Sequence, residues 1–289
     1  MSKYSKYVVT ELKTPDFGAE AVRRYSEFAT RILWMDKDTV PGAFQMNCAW
    51  YRKPLLHSGE PHQHDVDEIL GFFGSDASKP YDLGGEIEIR LGDQKQTITS
   101  TAMVFIPAGM KHCIPTLRRV DRPIFHFSTV TGGQYVWKSV ENDIKSELDS
   151  SRYIVTELKM PEDKKKIHQD YTKYATRVLW LDKDVVPGAY NMNTAWYLKA
   201  GETLENVPHT HDRDEIIGFF GNDYTKPHDL GGEVEIWLED EKQVITRSAM
   251  IFVPAGMKHC PLILKRVDRP IFHFTVVIAG RYIKDEDLK

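Results

Sequence analysis

The sequence lacks any apolar run of 18 residues, and its first residues, MSKYSKYVVTELK, lack the apolar stretch of a secretory signal. These absences argue against a membrane-spanning helix and against an exported precursor. Cysteine is scarce: the chain has three, Cys48, Cys113 and Cys260. They are an odd number and lack zinc-finger spacing. Such cysteine usage fits a reducing compartment. We therefore expect a soluble, cytoplasmic protein.

An excess of charge of one sign is also missing. The formal net charge is −4 over 289 residues, and no long run of like charges occurs. Nothing therefore predicts nucleic acid or an anionic membrane as a partner. Apolar residues make up 41% of the chain and charged residues 28%, which is typical of a globular protein with a full core. The length suffices for two ordinary domains or for one large domain.

The chain contains one sequence unit that occurs twice. ATRILWMDKDTVPGA (29–43) recurs as ATRVLWLDKDVVPGA (175–189), and RVDRPIFHF occurs unchanged at 119–127 and at 266–274. The offset is 146 residues for the first pair and 147 for the second. A period this long indicates a duplicated domain, because solenoid repeats are much shorter.

The two copies differ in length by one residue, which lies between Tyr51 and His62, and this difference predicts a loop there. The least repeated segment, WKSVENDIKSELDSS, is polar and predicts a linker. We predict one domain over 1–140, a linker at about 137–151, and a second domain over 152–289.

Strand signals dominate each copy. EIEIRLGDQKQTIT alternates on both sides of a Gly-Asp turn and predicts a hairpin, and several short β-branched or aromatic runs end at Gly or Pro. Helical patterns occur near Glu20–Phe28, at Asp163–Tyr174 and in the linker. The expected fold class is all-β, with a few short helices and with strands arranged as a sandwich or a jelly-roll barrel.

The word PHQHDVDE places His62, His64 and Glu68 at alternate positions, so an extended strand would point all three to one face. His112 follows in PAGMKH, 48 residues after His64, and could complete a set of three imidazoles and one carboxylate. An isolated His-x-His on a protein surface usually has no function, so one copy alone would leave the metal hypothesis and a solvated strand end about equally favoured.

The second copy carries the same set, at His209, His211, Glu215 and His259. Six of the eleven histidines thus fall at the six positions that a duplicated site requires, which favours metal binding. Four ligands on an ion that prefers six leave about two positions open, as in a catalytic site, whereas structural zinc sites are closed.

The spacing of these residues, with Gly74 after the first motif and Pro107 and Gly109 before His112, resembles the two motifs of the cupin superfamily. Because both halves match, the whole chain resembles a bicupin. The resemblance implies two tandem antiparallel jelly-roll β-barrels, each with a divalent transition metal inside: Fe, Mn, Ni or Zn.

Other polar residues lie on strands that could line such barrels. His126 and His273 occupy the middle of PIFHF, where each is either a general base or a core histidine. Arg31 and Arg177 could pair with a substrate carboxylate, but a salt bridge with the neighbouring DKD run is favoured. Candidate substrate-binding residues share one strand face in each copy: Gln45, Asn47, Tyr51, Asn191, Asn193 and Tyr197.

These observations lead to a metal-dependent enzyme that acts on a small, oxygen-rich substrate able to chelate the ion. Family frequency favours a dioxygenase slightly. The alternative is a non-oxidative Lewis-acid enzyme, such as a decarboxylase, isomerase, lyase or hydrolase. A further alternative is a non-catalytic bicupin that binds a small molecule, although the intact ligand sets argue against it. Whether one or both barrels are active, and whether the chain forms a homo-oligomer, stays open.

Overall fold

The computed structural model describes residues 3–57, 59–140, 149–162, 171–202 and 207–280. Most of the helical pattern predicted at Asp163–Tyr174 and most of the predicted linker lie outside these ranges. The helix predicted near Glu20–Phe28 is present as α1 (Ala19–Phe28). Within the described ranges, no helix is both long and apolar enough to cross a membrane.

Short strands follow one another along both halves of the chain. Those of the first half are β1 (Val8–Val9), β2 (Ala29–Met35), β3 (Gln45–Tyr51), β4 (His62–Gln63), β5 (Glu68–Gly74), β6 (Asp82–Leu91), β7 (Gln94–Ser100), β8 (Ala102–Ile106), β9 (Thr116–Val120), β10 (Ile124–Val130) and β11 (Lys138–Ser139). Those of the second half are β12 (Ile154–Val155), β13 (Ala175–Leu181), β14 (Asn191–Tyr197), β15 (Gly201–Glu202), β16 (Glu215–Gly221), β17 (Asp229–Leu238), β18 (Glu241–Arg247), β19 (Ala249–Val253), β20 (His259–Val267) and β21 (Ile271–Val277). Two 3-10 helices, Ser5–Tyr7 and Ser150–Tyr153, precede β1 and β12.

The chain forms two compact units. The first barrel comprises Lys13–Thr39 and Phe44–Glu157, and the second comprises Met1–Leu12, Val40–Ala43 and Leu158–Lys289. The repeated segments YVVTEL and YIVTEL are therefore each incorporated into the unit built by the other copy: β12 pairs with β8 in the first barrel, and β1 pairs with β19 in the second.

Each barrel contains a large antiparallel sheet and smaller ones. In the first barrel the large sheet has the order β12-β8-β5-β10-β3-β2, and the smaller sheets are β7-β6-β9 and β11-β4. In the second barrel the orders are β1-β19-β16-β21-β14-β13 and β15-β20-β17-β18. The predicted hairpin is present as β6 and β7, with Gly92 at φ 61° in its turn. The expected all-β fold, duplicated within one chain, is confirmed.

The central strands of the large sheets are buried along their whole length. Every residue of β3, β5 and β10 is buried, which explains why they read as apolar runs instead of strict alternation. Gly71 of β5 pairs with Phe127 of β10, and the ring of Phe127 lies over the glycine, where a Cβ would collide with it. This close packing fixes the strand face that carries the polar residues of the site.

Candidate metal centres

Two short elements bring the first set of predicted ligands together. His62 of β4 exchanges backbone hydrogen bonds with His112, at 2.8 and 2.9 Å, and the amide of Gly109 donates to the carbonyl of His64 at 2.7 Å. Gly109 has φ 77°, which suits glycine at the turn of PAGMKH. The segment that holds His62, His64 and Glu68 is not one extended strand, as the sequence argument assumed, because it bends at 65–66 before β5 begins.

The four predicted side chains of the first barrel converge. Nε2 of His112 lies 3.1 Å from Oε2 of Glu68, and Nε2 of His64 lies 3.5 Å from the same oxygen. The ring centroids of His62 and His112 are 4.2 Å apart. The three imidazoles and the carboxylate are all buried.

The hydrogen bonds of these histidines leave one nitrogen of each ring facing the centre. Nδ1 of His62, His64 and His112 donates to the carbonyls of Glu60, Val136 and Met110, at 3.2, 2.7 and 2.9 Å. The three Nε2 atoms and both oxygens of Glu68 are buried without a hydrogen-bond partner. Nitrogen lone pairs and carboxylate oxygens that converge without donors suit a cation, and backbone carbonyls behind the rings are the usual support of metal-ligating histidines.

The protonation states also suit a cation. Burial raises the pKa of Glu68, but the imidazoles of His112 and His64 outweigh this and hold the pKa at about 2. Burial and the neighbouring His112 lower the pKa of His62 to about 4. Burial lowers the pKa of His64, but Glu68 and the Val136 carbonyl raise it by more. An ionised carboxylate and a neutral imidazole are therefore available at neutral pH.

The second barrel repeats this arrangement. Nε2 of His259 and of His211 lies 3.1 and 3.5 Å from Oε2 of Glu215. The centroids of His209 and His259 are 4.3 Å apart, and their Nδ1 atoms donate to the carbonyls of Val207 and Met257. The pKa of Glu215 is raised by burial but lowered by more through the two imidazoles, well below its usual range. The structure thus brings all eight predicted ligands together as two sets of four.

One cysteine also approaches a centre. The sequence predicts that Cys113 and Cys260 are small buried fillers, and both are buried. Cys260, with φ 74°, nevertheless places its sulfur within 4.8 Å of ligand nitrogens of His209 and His259. The direction of this side chain depends on a local backbone conformation that the alternation of strand residues does not reveal.

A cavity of about 560 Å³ opens onto the first centre. His62, Glu68 and His112 lie in its wall, together with Asn47 and Tyr51. Gln45, the third candidate on the same strand, does not line the cavity, and its buried side-chain amide makes no hydrogen bond. Two of the three predicted substrate-binding residues of this barrel therefore reach the cavity.

His126 lies in the same cavity wall. Its Nδ1 donates to the carbonyl of Gly71 at 3.0 Å, which leaves the lone pair on Nε2. The ring stacks between Tyr51 and Phe72, with centroids at 4.5 and 5.1 Å. Burial lowers the pKa of His126 to about 4, so the ring is neutral at neutral pH.

The matching strand of the second barrel has more internal hydrogen bonds. Nδ2 of Asn193 donates to Thr275 Oγ1, and its Oδ1 accepts from Nη1 of Arg177. The buried Asn191 donates to the carbonyl of Leu181 at 3.3 Å. His273 donates to the carbonyl of Gly218 and stacks on Tyr197 with centroids 4.7 Å apart.

Sequence reasoning missed the segment that follows β10. Tyr135 packs on His64 and Trp137 packs edge-on against His62, each with centroids 4.8 Å apart. Both line the cavity, and the carbonyl of Val136 between them supports His64. The aromatic pair in GGQYVW, directly after the last long strand, is the signal that could have found it. The corresponding residues of the second barrel begin at 281, outside the described ranges.

Comparison with known proteins shows the architecture only. No protein-family model and no curated protein matches the sequence. The structure of AerE from Microcystis aeruginosa is similar with a TM-score of 0.54 at 13% identity, over 95% of this chain and 99% of that one. A structure of oxalate decarboxylase, described for its substrate-binding mode and a switch in reaction specificity, gives 0.56 at 11% identity over 89% and 74%.

An alanine variant of the oxalate decarboxylase of Bacillus subtilis gives a TM-score of 0.57 at 10% identity, over 90% of this chain and 77% of that one. Identities this low establish the fold alone. The similarity extends over both halves of the chain, as the internal duplication requires. The chain therefore has the fold of a bicupin, with two cupin barrels in one polypeptide.

Proposed function

We propose that this bicupin is a metal-dependent enzyme that acts on a small, oxygen-rich organic substrate able to chelate the ion. One observation carries the proposal: three imidazole nitrogens and a carboxylate, all without hydrogen-bond partners, converge, and three of the four residues, His62, Glu68 and His112, line a cavity of about 560 Å³. A closed structural site would not open onto a cavity of that size.

The residues fit Fe, Mn, Ni or Zn, since imidazole and carboxylate ligands suit all four. His62, His64, Glu68 and His112 would hold the ion, and His209, His211, Glu215 and His259 would hold a second one. A bound ion would act as a Lewis acid towards oxygens of the substrate. The chain itself would supply ordered ligands, a cavity beside them and a neutral imidazole.

Non-oxidative chemistry is the first candidate reaction. Two of the similar structures are of oxalate decarboxylase, whose name states a decarboxylation, and this supports the Lewis-acid alternative. The dioxygenase that family frequency favoured has no specific support among these neighbours, so we keep it as the second candidate. Purified protein should contain close to two transition-metal ions per chain by elemental analysis. A panel of hydroxy and keto acids should be tested under nitrogen and in air. The acid that serves as substrate should be consumed at the same rate in both atmospheres.

Each other outcome has a distinct meaning. Consumption of substrate only in air, with uptake of O2, would favour the dioxygenase. Bound metal without turnover of any compound would favour the non-catalytic alternative. Absence of any transition metal, even after reconstitution, would refute the proposal.

His126 is the candidate general base. Its Nδ1–H is held by the carbonyl of Gly71 and its Nε2 keeps the lone pair. Its pKa of about 4 leaves the ring neutral at neutral pH, as a base must be, but makes it a weaker base than a histidine whose pKa is near 7. We expect His126→Gln to lower kcat by about 100- to 10,000-fold, the usual contribution of a positioned base, with unchanged metal content. His273→Gln is the matched variant in the second barrel. A lower melting temperature with normal kcat would instead identify His126 as a core histidine.

A further inference from the structure

Arg31 of β2 lies in the wall of the first cavity, and its guanidinium has no carboxylate partner among the described residues. The sequence favoured a salt bridge between Arg31 and the DKD run that follows it. Within the described residues Arg31 makes no ion pair. Asp36 instead accepts hydrogen bonds from Trp34 Nε1 and from the loop that it begins, and Asp38 accepts from Gln134.

Three aromatic rings hold the guanidinium of Arg31 in place. Its Cζ lies 4.4 Å from the ring centroid of Tyr25, 4.9 Å from that of Phe17 and 5.2 Å from that of Trp34. Nε is buried without a hydrogen-bond partner. Aromatic faces orient a cation but do not neutralise it, so the charge stays available to a ligand.

The charge balance of the cavity favours an anionic ligand. Glu68 is the one carboxylate among the described residues that line the cavity, and it belongs to the metal ligand set. Arg24, at the rim, is already paired with Glu20 at 2.7 Å. A bound divalent ion together with Arg31 would therefore exceed the single negative charge of Glu68 by two. Burying such an excess is costly unless the ligand neutralises it.

The remaining wall is largely apolar. Phe28, Leu55, Leu70 and Leu117 line the same cavity as Arg31 and the metal ligands. A cavity of about 560 Å³ is much larger than a two-carbon acid needs, and its wall offers apolar contact to a ring or a branched chain. The compound that fills it must be anionic at one end and apolar in its body.

We propose that the substrate of the first barrel is an organic acid with an apolar, ring-sized body, which places its carboxylate against Arg31 and its chelating oxygens at the metal. This inference rests on the proposed function, because it takes the cavity at the metal centre as the substrate site. It names a substrate class that the four metal ligands alone do not specify.

Binding to full-length, metal-loaded protein tests the assignment. The probes are 3-(3,4-dihydroxyphenyl)propanoate, its neutral amide and oxalate. Binding is measured by calorimetry and by quenching of tryptophan fluorescence, to which Trp34 and Trp137 of the cavity wall contribute. We expect the acid to bind about tenfold to a hundredfold more tightly than the amide, because a charge-assisted bidentate pair is lost in the amide. Oxalate should bind more weakly than the acid.

Variants assign this preference to Arg31. Arg31→Met keeps the length of the side chain and should bind acid and amide equally, whereas Arg31→Lys should keep part of the preference. Arg24→Met removes a positive charge from the rim of the same cavity and should change the preference by less than about twofold, since exposed charges contribute little. An unchanged preference in Arg31→Met, or failure of the wild type to bind any of the probes, would overturn the assignment.

Metal analysis of the same preparations separates this inference from the proposed function. A metal-loaded protein that binds acid and amide equally refutes the role of Arg31 and leaves the proposed function standing. A protein that holds no transition metal but still prefers the acid refutes the proposed function and leaves the carboxylate site standing.

Discussion

In the first barrel, Nε2 of His112 lies 3.1 Å from Oε2 of Glu68, and in the second barrel the matching atoms of His259 and Glu215 are also 3.1 Å apart. The other distance between histidine and glutamate in each centre is 3.5 Å. The base candidates also match, since each donates Nδ1–H at 3.0 Å to the carbonyl of a glycine in the neighbouring strand. The duplicated ligand geometry is thus the same in both barrels.

The surroundings of the two centres differ. Arg31 and Arg177 both lie over aromatic rings and neither makes an ion pair within the described residues, but Arg177 also donates a hydrogen bond to Asn193. Cys260 approaches the ligand nitrogens of its centre, whereas Cys113 lines the cavity of the first barrel. Trp137, which packs on His62, corresponds to Lys284 in the sequence of the second copy.

This contrast indicates which parts of a duplicated site can diverge. Metal ligands must keep their number and geometry, because the loss of one leaves the others as buried, unsatisfied polar groups. The other residues of the cavity wall are not predicted ligands, so they can change without removing a ligand of the ion. We therefore expect both barrels to bind the same kind of ion but different ligands.

Removal of one metal ligand should give the largest effect. His64→Ala should lower the metal content from two ions per chain to one, and His211→Ala should do the same in the second barrel. The affected barrel should also lose the stabilisation that binding provides, about 4 kcal/mol when the free ion stands at about 1,000 times its Kd. Elemental analysis and thermal unfolding with and without a chelator measure both quantities.

His57→Ala is the matched control, because His57 lines the first cavity but is not a predicted ligand. It should keep both ions. If His64→Ala also kept both, the ligand set of the first barrel would be wrong. If it lost both, the two centres would not be independent, contrary to the comparison.

Much of this arrangement is visible in the sequence. The spacing of His62, His64, Glu68 and His112, repeated in the second half, predicts both centres, because few arrangements of a β-rich chain use six histidines in such a pattern. The hairpin at Gly92 and the helix before β2 also follow from local signals. These features depend on residues close in sequence or on a repeat that identifies distant partners.

The rest depends on contacts between distant elements. The nest of Arg31 requires Phe17, Tyr25 and Trp34, which come from three different elements of the chain and show no common period. The pairing of β1 with β19 and of β12 with β8 cannot be read from the local sequence. The two segments, YVVTEL and YIVTEL, are nearly identical, so either could pair within either unit. The sequence also grouped Gln45 with Asn47 as a substrate-binding residue, because the two share a strand face. Gln45, two residues before Asn47, does not line the cavity.

The shared scaffold can be tested separately from the sites. A Cβ on Gly71 would collide with the buried ring of Phe127, and one on Gly218 would collide with that of Phe274. We expect Gly71→Ala and Gly218→Ala each to lower the free energy of unfolding by about 3 kcal/mol, the upper end for overpacking, because the rings are fully buried. Urea denaturation measures the loss.

Gly132→Ala is the control, since the nearest atoms there lie at 3.6 Å or more and its φ is not in the left-handed region. It should change the free energy of unfolding by less than about 0.5 kcal/mol. Unequal losses for Gly71→Ala and Gly218→Ala would show that divergence extends from the cavity wall into the core.

The smallest predicted effect concerns the asparagines that distinguish the two cavity walls. Asn47 donates one hydrogen bond, to Ser128 at 2.6 Å, whereas Asn193 donates to Thr275 and also accepts from the half-buried guanidinium of Arg177. We expect Asn193→Ala to destabilise the protein by about 1.5 kcal/mol more than Asn47→Ala, the lower end for a hydrogen bond to a charged group. The comparison is made by urea denaturation, with Arg177→Met and the Arg177→Met/Asn193→Ala double variant completing the cycle. Equal losses would mean that the Arg177–Asn193 hydrogen bond adds nothing to the free energy of unfolding.

Arg177 would then be as available to a carboxylate as Arg31, and both barrels would be expected to bind the same class of acid.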